Sequence, residues 1–403
     1  MKFHKLLVDV VNHNLKDIFI NGYHADKVIE TCLKSNKKWG ARDRAFIAET
    51  TYECVRWLRL YDYCLKGNLL FEPNKIKDFY AIIAIHFILK KIDLPDWKEF
   101  KGINPNIVKI RYDEAQENIS VKYSFTDWFN QIASKQLGEN WPANAEELNK
   151  PAKMVLRVNS LKTDIKTLIE LLKKQGIKVN TIKNYPDALL VEEKSNLFKL
   201  EEFKNGLFEI QDANSQMVAA FLNPQPGEKV IDACAGAGGK SLHIAALTKN
   251  KGTILSMDTE QWKLNELKKR AARNGAFNIS TELINENTIK KYKNFANKLL
   301  LDVPCTGSGV IKRNPDTKWK LTQQSLDEVL SVQQKILNNY CNMLKVNGIM
   351  VYATCSILPI ENQTRVETFL NNNKNYQLLD EKILLPAETG FDGFYMAKFK
   401  KNE

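Results

Sequence analysis

The sequence predicts an α/β protein in three parts: a helical region over residues 1–140, a small α+β region over 150–211, and an open, mostly parallel sheet with helices on both faces over 212–403. Three observations predict it. Apolar residues recur at helical spacing before residue 140. Strand-like and helix-like runs alternate over residues 153–210. From about residue 212, short β-branched runs alternate regularly with longer amphipathic stretches.

The helical reading rests on "RAFIAETTYECVRWLRLYDYCL" and "DFYAIIAIHFILKKI". The second is the longest oily stretch. It is too short and too polar to span a bilayer, and so reads as a buried helix. The N-terminal "MKFHKLLVDVVNHNL" is interrupted by Asp9, Asn12, His13 and Asn14, so no secretory signal is expected. The helical pattern breaks at "LGENWPANAEELNKPA", where Gly138, Pro142 and Pro151 mark a connection between domains.

In the second region "MVLRVN", "IKVNTI", "ALLVEE" and "LFEIQ" predict short strands. "TDIKTLIELLKKQG" predicts a helix capped by Thr163 and stopped at Gly176. The outline is that of an RNA-recognition fold without its aromatic strand signature, so the likeness is architectural only. In the third region "EKVIDA", "GTILSMD", "KLLLDVP" and "GIMVYAT" predict buried parallel strands, and "QQSLDEVLSVQQKILNNYCNML" a long helix. Ligands in such sheets sit beyond the carboxyl ends of the strands. That rule singles out Cys234–Lys240, Asp258, Asp302–Cys305 and Thr354–Ser356.

The chain has 403 residues, 44% of them hydrophobic, which suits packed globular structure. Its net charge is +12, of which residues 1–150 carry +3 and residues 151–403 carry +9. Such a surface is either simply solvated or meets a polyanion, mainly through the C-terminal part. Seven cysteines without a C-x-x-C pair suggest neither a metal site nor a disulfide framework, and a reducing cytoplasm is their simplest home.

The turn "DACAGAGGKS" at 232–241 raises the question of its ligand. A phosphate loop would need glycine where Cys234 stands. A dinucleotide fingerprint would need glycine where Ser241 stands. A tight turn with no ligand stays open. S-adenosylmethionine fits better, because it has no phosphates and needs close backbone approach, which glycine allows. Cys234, Ala235, Gly236, Ala237, Gly238, Gly239 and Lys240 would then line the donor. Asp258, twenty residues past Gly238, would accept its ribose hydroxyls, unless it merely caps "TEQWKLNEL".

Cys305 and Cys355 each follow a predicted strand by a residue or two. A single cysteine is usually a small buried hydrophobe. Two at neighbouring strand ends, beside a cofactor turn, are harder to dismiss. Methylating C5 of cytosine requires a thiolate to add at C6, an acid near N3, and a base for the C5 proton. Cys355, Asp302 and Cys305 supply that set. Pro359 suits the first turn of a helix through "IENQTRVETFL", whose N-terminus would favour a thiolate at Cys355. Lys312, Arg313 and Lys318 would raise the local potential or contact phosphates.

At these residues the sequence resembles the RsmB/Nop/Sun family of RNA 5-methylcytosine methyltransferases, nearest the bacterial RsmB-like branch. The blocks are "LRVNSLKT", "EIQDANSQ", "DACAGAGGKS", "DVPCTGSGVIKRNPDTKW", "YATCS", "IEN" and "DGFYMAKFKK", covering most of residues 153–401 in the family's order. The resemblance implies a Rossmann-like class I methyltransferase domain with S-adenosylmethionine as cofactor. It implies that Cys355 bonds to the base, that Cys305 acts in product release, and that Cys234 to Lys240, Asp258 and Asp302 line the cofactor site. DNA cytosine methyltransferases would instead bond through the thiol at Cys305. The family often has an aspartate near the adenine after its third strand. Here that stretch is "ELINENTI", which makes Asn285 the candidate.

The N-terminal helices, notably "WGARDRAFIAETTYECVRW", resemble the NusB-like RNA-binding domain of the same branch. The alternative is a helical domain that only packs on the catalytic one. The branch implies a cytidine of small-subunit ribosomal RNA as substrate; a cytoplasmic monomer with neither membrane nor metal is expected besides. Two rival readings remain: the same chemistry on transfer RNA, or a non-enzymatic RNA-binding assembly factor on a methyltransferase scaffold. The second has no need for either thiol.

Overall fold

The computed structural model describes residues 4–193 and 196–403; the first three residues of the N-terminal stretch read above lie outside them. The chain forms two compact units. One holds the described residues up to Lys150 together with Ile311–Gln323; the other holds Pro151–Val310 and Gln324–Glu403.

The first unit is helical, with its longer helices at Lys5–Phe19, Ala25–Ser35, Ala41–Arg56, Leu58–Lys66, Tyr80–Leu89, Pro105–Glu114, Asp127–Leu137 and Trp141–Leu148. Tyr80–Leu89 buries every residue from Ile82 to Phe87, so it runs through the core, as a helix that is apolar all round must. Val11, Leu15, Leu58, Phe79 and Ile83 pack in the same cluster. Helix starts are set by short polar side chains. Asn104 and Thr126 each accept amide N–H groups of the first turn that follows them. Among the described residues no helix is long and apolar enough to cross a membrane.

Residues 311–323, read from sequence as part of the third region, belong to this helical unit. Lys318 explains why. Its side chain is fully buried, and its ammonium donates to the carbonyls of Arg56, Tyr123 and Ser124 at 3.0, 3.1 and 3.2 Å and to Asn149 Oδ1. It also lies 4.3 Å from the Phe125 ring centroid. Lys312 Nζ pairs with Glu147 Oε1 at 2.6 Å, and Trp319 Nε1 donates to the Val55 carbonyl at 2.8 Å. This corrects the reading of Lys312 and Lys318 as phosphate contacts or as sources of potential at the thiols. Both are interior groups spent on tying the segment to its helices.

The second unit carries two sheets. The smaller is antiparallel in the order β2-β3-β1-β4, from β1 (Val155–Val158), β2 (Val179–Ile182), β3 (Tyr185–Val191) and β4 (Phe208–Ile210). Its helix Ile165–Lys174 is capped by Asp164, whose carboxylate accepts from the amides of Lys166 and Thr167, rather than by Thr163. A carboxylate accepts two amides at once and outcompetes the neighbouring hydroxyl.

The larger sheet runs β10-β11-β9-β8-β5-β6-β7, from β5 (Lys229–Asp232), β6 (Thr253–Asp258), β7 (Ile279–Leu283), β8 (Ala296–Asp302), β9 (Leu344–Thr354), β10 (Tyr376–Leu384) and β11 (Phe394–Lys401). Strands β5 to β9 pair in parallel, and β10 and β11 add an antiparallel edge. The four apolar runs read from sequence are β5, β6, β8 and β9, and residues such as Ile231, Leu255, Leu299, Leu301 and Tyr352 form the core between them. The order reverses at β5, which pairs with β6 on one side and β8 on the other. Ligands of such sheets bind beyond the carboxyl ends at such a reversal.

Candidate active site

The glycine turn leaves β5 at that reversal point. Asp232 closes the strand. Gly236 and Gly238 then adopt φ values of +53° and +88°, which glycine tolerates and other residues resist. A Cβ at Gly238 would come within 2.5 Å of Leu267 Cγ, whereas one at Gly236 would meet open space. The turn is therefore packed from beneath and open above. The helix Gly239–Leu247 follows at once, and its Ser241 Oγ donates to Asp232 Oδ2 at 2.6 Å. Asp232 Oδ1 is buried and has no partner. Burial pushes this carboxyl up to about 7.

Asp258, at the end of β6, meets the same turn. Its Oδ2 accepts from Gly236 N at 2.9 Å and its Oδ1 from Glu260 N at 3.0 Å. It does not cap the following helix Gln261–Asn274, whose N-cap is Glu260. Asn285, after β7, caps the short helix Glu286–Lys291, its Oδ1 accepting from the amides of Asn287 and Thr288 at 3.0 and 3.1 Å. That oxygen is committed to the cap.

Asp302, at the end of β8, forms an ion pair with Lys240 Nζ, which leaves the helix behind the glycine turn. Burial alone would push the Lys240 ammonium down. The charge and hydrogen bond of Asp302 more than offset it, and the group is held above its ordinary range. Lys240 Nζ also sits 5.4 Å from the Phe394 ring centroid on β11.

Cys305 and Cys355 follow the adjacent parallel strands β8 and β9, and their sulphurs lie 3.2 Å apart. Both are half-buried. The hydrogen bond to Cys355, then burial, then the nearby charges of Cys355 and Glu361 hold the Cys305 thiol well above its usual range. The loops that carry the thiols are tied by backbone: Gly309 N donates to the Cys355 carbonyl at 2.9 Å and Gly393 N to the Gly309 carbonyl at 2.7 Å. A Cβ at Gly309 would stand 2.3 Å from the Gly393 oxygen, so glycine is required by close approach. Pro359 opens a three-residue 3-10 turn, Pro359–Glu361, and the α-helix begins only at Gln363. The interruption comes at Asn362, whose side chain bonds to Thr354 Oγ1 and to the Ser356 carbonyl instead of continuing a helix.

The structure thus brings the residues at 232–241, Asp258, Asp302, Cys305 and Cys355 to one end of one sheet. Sequence reasoning did not single out Asp232 or Glu361. Both lie within quoted blocks, "DACAGAGGKS" and "IEN", where a carboxylate two residues before Cys234 and one six residues after Cys355 were the available signals. The donor set suits S-adenosylmethionine. The open face above Gly236 and the strand-end carboxylate of Asp258 offer what a ligand with a ribose diol and a need for close backbone approach requires.

A family model described as 16S rRNA methyltransferase RsmB/F matches residues 219–400, and one for the RsmF/B-like ferredoxin-like domain matches residues 125–197. The ribosomal RNA small subunit methyltransferase B of Pasteurella multocida is 33% identical, over 75% of this chain and 72% of its own. The probable enzyme of that name from Synechocystis sp. is 29% identical, over 96% of this chain and 97% of its own. A crystal structure of a methyltransferase homologue from Pyrococcus horikoshii superposes with a TM-score of 0.64 at 28% identity, covering 70% of this chain and 98% of that one. With the parallel sheet, the glycine turn and these likenesses together, the chain belongs to the RsmB/F family of S-adenosylmethionine-dependent 16S rRNA methyltransferases.

Proposed function

We propose that this protein methylates C5 of a cytidine in small-subunit ribosomal RNA, with Cys355 as the residue that bonds to the base. The observation that carries the reading is the pair of thiols 3.2 Å apart at the ends of two parallel strands, beside the turn that would hold the donor. The methyl-transferring relatives named above act on that RNA by name, and the net charge of +12 suits a polyanion.

Residues 234–240 and Asp258 would hold S-adenosylmethionine, which supplies an electrophilic methyl group when bound. The Cys355 sulphur adds to C6 of the cytosine and leaves C5 electron-rich enough to take that methyl group. The sequence reading made Asp302 the acid near N3. Asp302 is paired with the Lys240 ammonium, which it holds above its ordinary range, and this supports a reading in which Lys240 carries the proton given to N3 and Asp302 orients it. Cys305 begins as a thiol because Cys355 holds it so. Once Cys355 is bonded to carbon, its hydrogen bond to Cys305 is gone, and Cys305 becomes free to lose its proton to solvent and remove the C5 proton. Cys355 then leaves. The target must be unpaired or extruded from its stack to reach the sulphur. Within this reading the helical unit helps to hold the RNA, and the protein works in a reducing cytoplasm as a monomer.

The test is covalent trapping. Cys355→Ala should form no adduct with RNA carrying 5-azacytidine and transfer no methyl group to cytidine RNA. Cys305→Ala should form the adduct and accumulate it, because release is slow. Identical behaviour of the two variants, or no transfer by folded protein with small-subunit RNA, defeats the assignment.

A further inference from the structure

We propose that Glu361 is a positioning residue that holds the Cys305 and Cys355 loops at one fixed separation. Its carboxylate is fully buried. Oε2 accepts from Thr306 N at 2.8 Å and from Gln333 Nε2 at 3.0 Å. Oε1 accepts from the hydroxyls of Thr306 and Ser356. Thr306 directly follows Cys305 and Ser356 directly follows Cys355. One side chain therefore grips the residue next to each thiol.

The grip is itself anchored. Tyr352 Oη, from β9, donates to the Glu361 carbonyl at 2.7 Å. The Gln333 amide, on the helix Gln323–Tyr340, also donates to the Pro304 carbonyl at 3.0 Å. A second bridge, Ser308 Oγ to Ser356 Oγ at 2.9 Å, closes the frame. A carboxylate is suited to this place because it accepts only, with two oxygens able to take about four donors. All four donors here are neutral, so the group sits in the interior for its acceptor capacity rather than to balance a cation. Displacement of a reacting group by about 1 Å costs on the order of 100-fold in rate, and a shared clamp is the direct way to prevent it between two thiols on separate loops. The bearing of the clamp on catalysis rests on the methyl-transfer reading above; the clamp itself does not.

The sulphur separation can be read without RNA. In a glutathione buffer two protein thiols are oxidised to the Cys305–Cys355 disulfide as one oxidised glutathione is reduced to two thiols. The equilibrium constant, measured by trapping and peptide mass analysis, reports how well the sulphurs are held together. Glu361→Ala should lower that constant roughly 10-fold and leave S-adenosylmethionine affinity unchanged. Glu361→Gln keeps one acceptor oxygen for Thr306 N and Gln333, while the two hydroxyls turn to accept from its amide. It should stay close to wild type. In methyl transfer, Glu361→Ala should lose kcat on the order of 100-fold with Glu361→Gln restoring most of it. An unchanged disulfide constant in Glu361→Ala overturns the clamp. So does a Glu361→Gln constant as low as that of Glu361→Ala, which would assign the effect to charge. If Glu361→Ala does not fold, the double variant Thr306→Val, Ser356→Ala decides by the same constant. Wild-type protein that makes no methyl transfer sinks the functional reading alone, since the disulfide constant still judges the clamp.

Discussion

Lys318 in the helical unit and Lys240 in the sheet unit are both largely withdrawn from water, and their environments push them in opposite directions. Lys318 is surrounded by backbone carbonyls and an amide oxygen, which bear no formal charge, so burial drives its ammonium well below the ordinary range. Lys240, 12% exposed, faces the carboxylate of Asp302, and the pair's mutual charge lifts it instead. The two lie in blocks equally prominent in sequence, "KRNPDTKW" and "GAGGKS". The partner, not the residue type or the burial, sets the direction in which each lysine is pushed.

The comparison makes opposite demands on two substitutions. Lys240→Met should cost the folded protein about 1000-fold in kcat for methyl transfer, since it removes the ammonium paired with Asp302. Steady-state rates beside a thermal melt would show it. Lys318→Met should do the reverse. It strands buried carbonyls of Arg56, Tyr123 and Ser124, at a cost of about 3 kcal/mol to folding, while the folded fraction transfers methyl groups at the wild-type rate. A Lys318→Met protein that melts normally but is inactive would break the distinction.

Much of this was legible in the sequence because of how parallel sheets are built. Strands buried on both faces read as unbroken apolar runs, and the residue that ends each run faces the crevice. Asp258, Asp302 and Cys355 could therefore be placed by counting from "GTILSMD", "KLLLDVP" and "GIMVYAT". What could not be read were contacts distant in sequence. Nothing in "IKRNPDTKW" says that it folds among helices more than 150 residues earlier in the chain, which is why Lys312 and Lys318 read as surface charges. The Glu361 clamp and the Lys240–Asp302 pair likewise join loops across the sheet. Local competition misled too. Thr163 and Asp164 are both good caps, and only geometry shows that the carboxylate wins.

Acid and base should separate the units in a second way. His86 in the helical core is pushed down to about 4, chiefly by burial, with Tyr61 Oη 3.0 Å from its Nδ1. A base with a depressed folded value stabilises above its unfolded value, near 6.5, and loses that contribution as pH falls toward about 4. Asp232 has the opposite sign. A carboxyl raised from 3.8 to about 7 stabilises fully below 3.8 and loses the contribution as pH rises through about 7. Each swing is on the order of 3 kcal/mol. Relative to wild type, His86→Gln should gain stability as pH falls from 6.5, and Asp232→Asn should gain as pH rises toward 7. Melts of the two variants across that range test both; a shared direction would contradict the assigned environments.

The smallest effect concerns Asn285, the candidate for the adenine contact. Its oxygen already accepts two amide hydrogens at the start of Glu286–Lys291. If capping is its whole task, Asn285→Ala should cost about 1 kcal/mol of stability and leave S-adenosylmethionine affinity alone, and Asn285→Asp should preserve both. If the amide NH2 also reaches the donor's adenine, Asn285→Ala and Asn285→Asp should weaken S-adenosylmethionine together, because aspartate keeps the cap yet has no hydrogen to donate. Calorimetric affinities of the two variants divide the cases, since only the cap survives the change from amide to carboxylate.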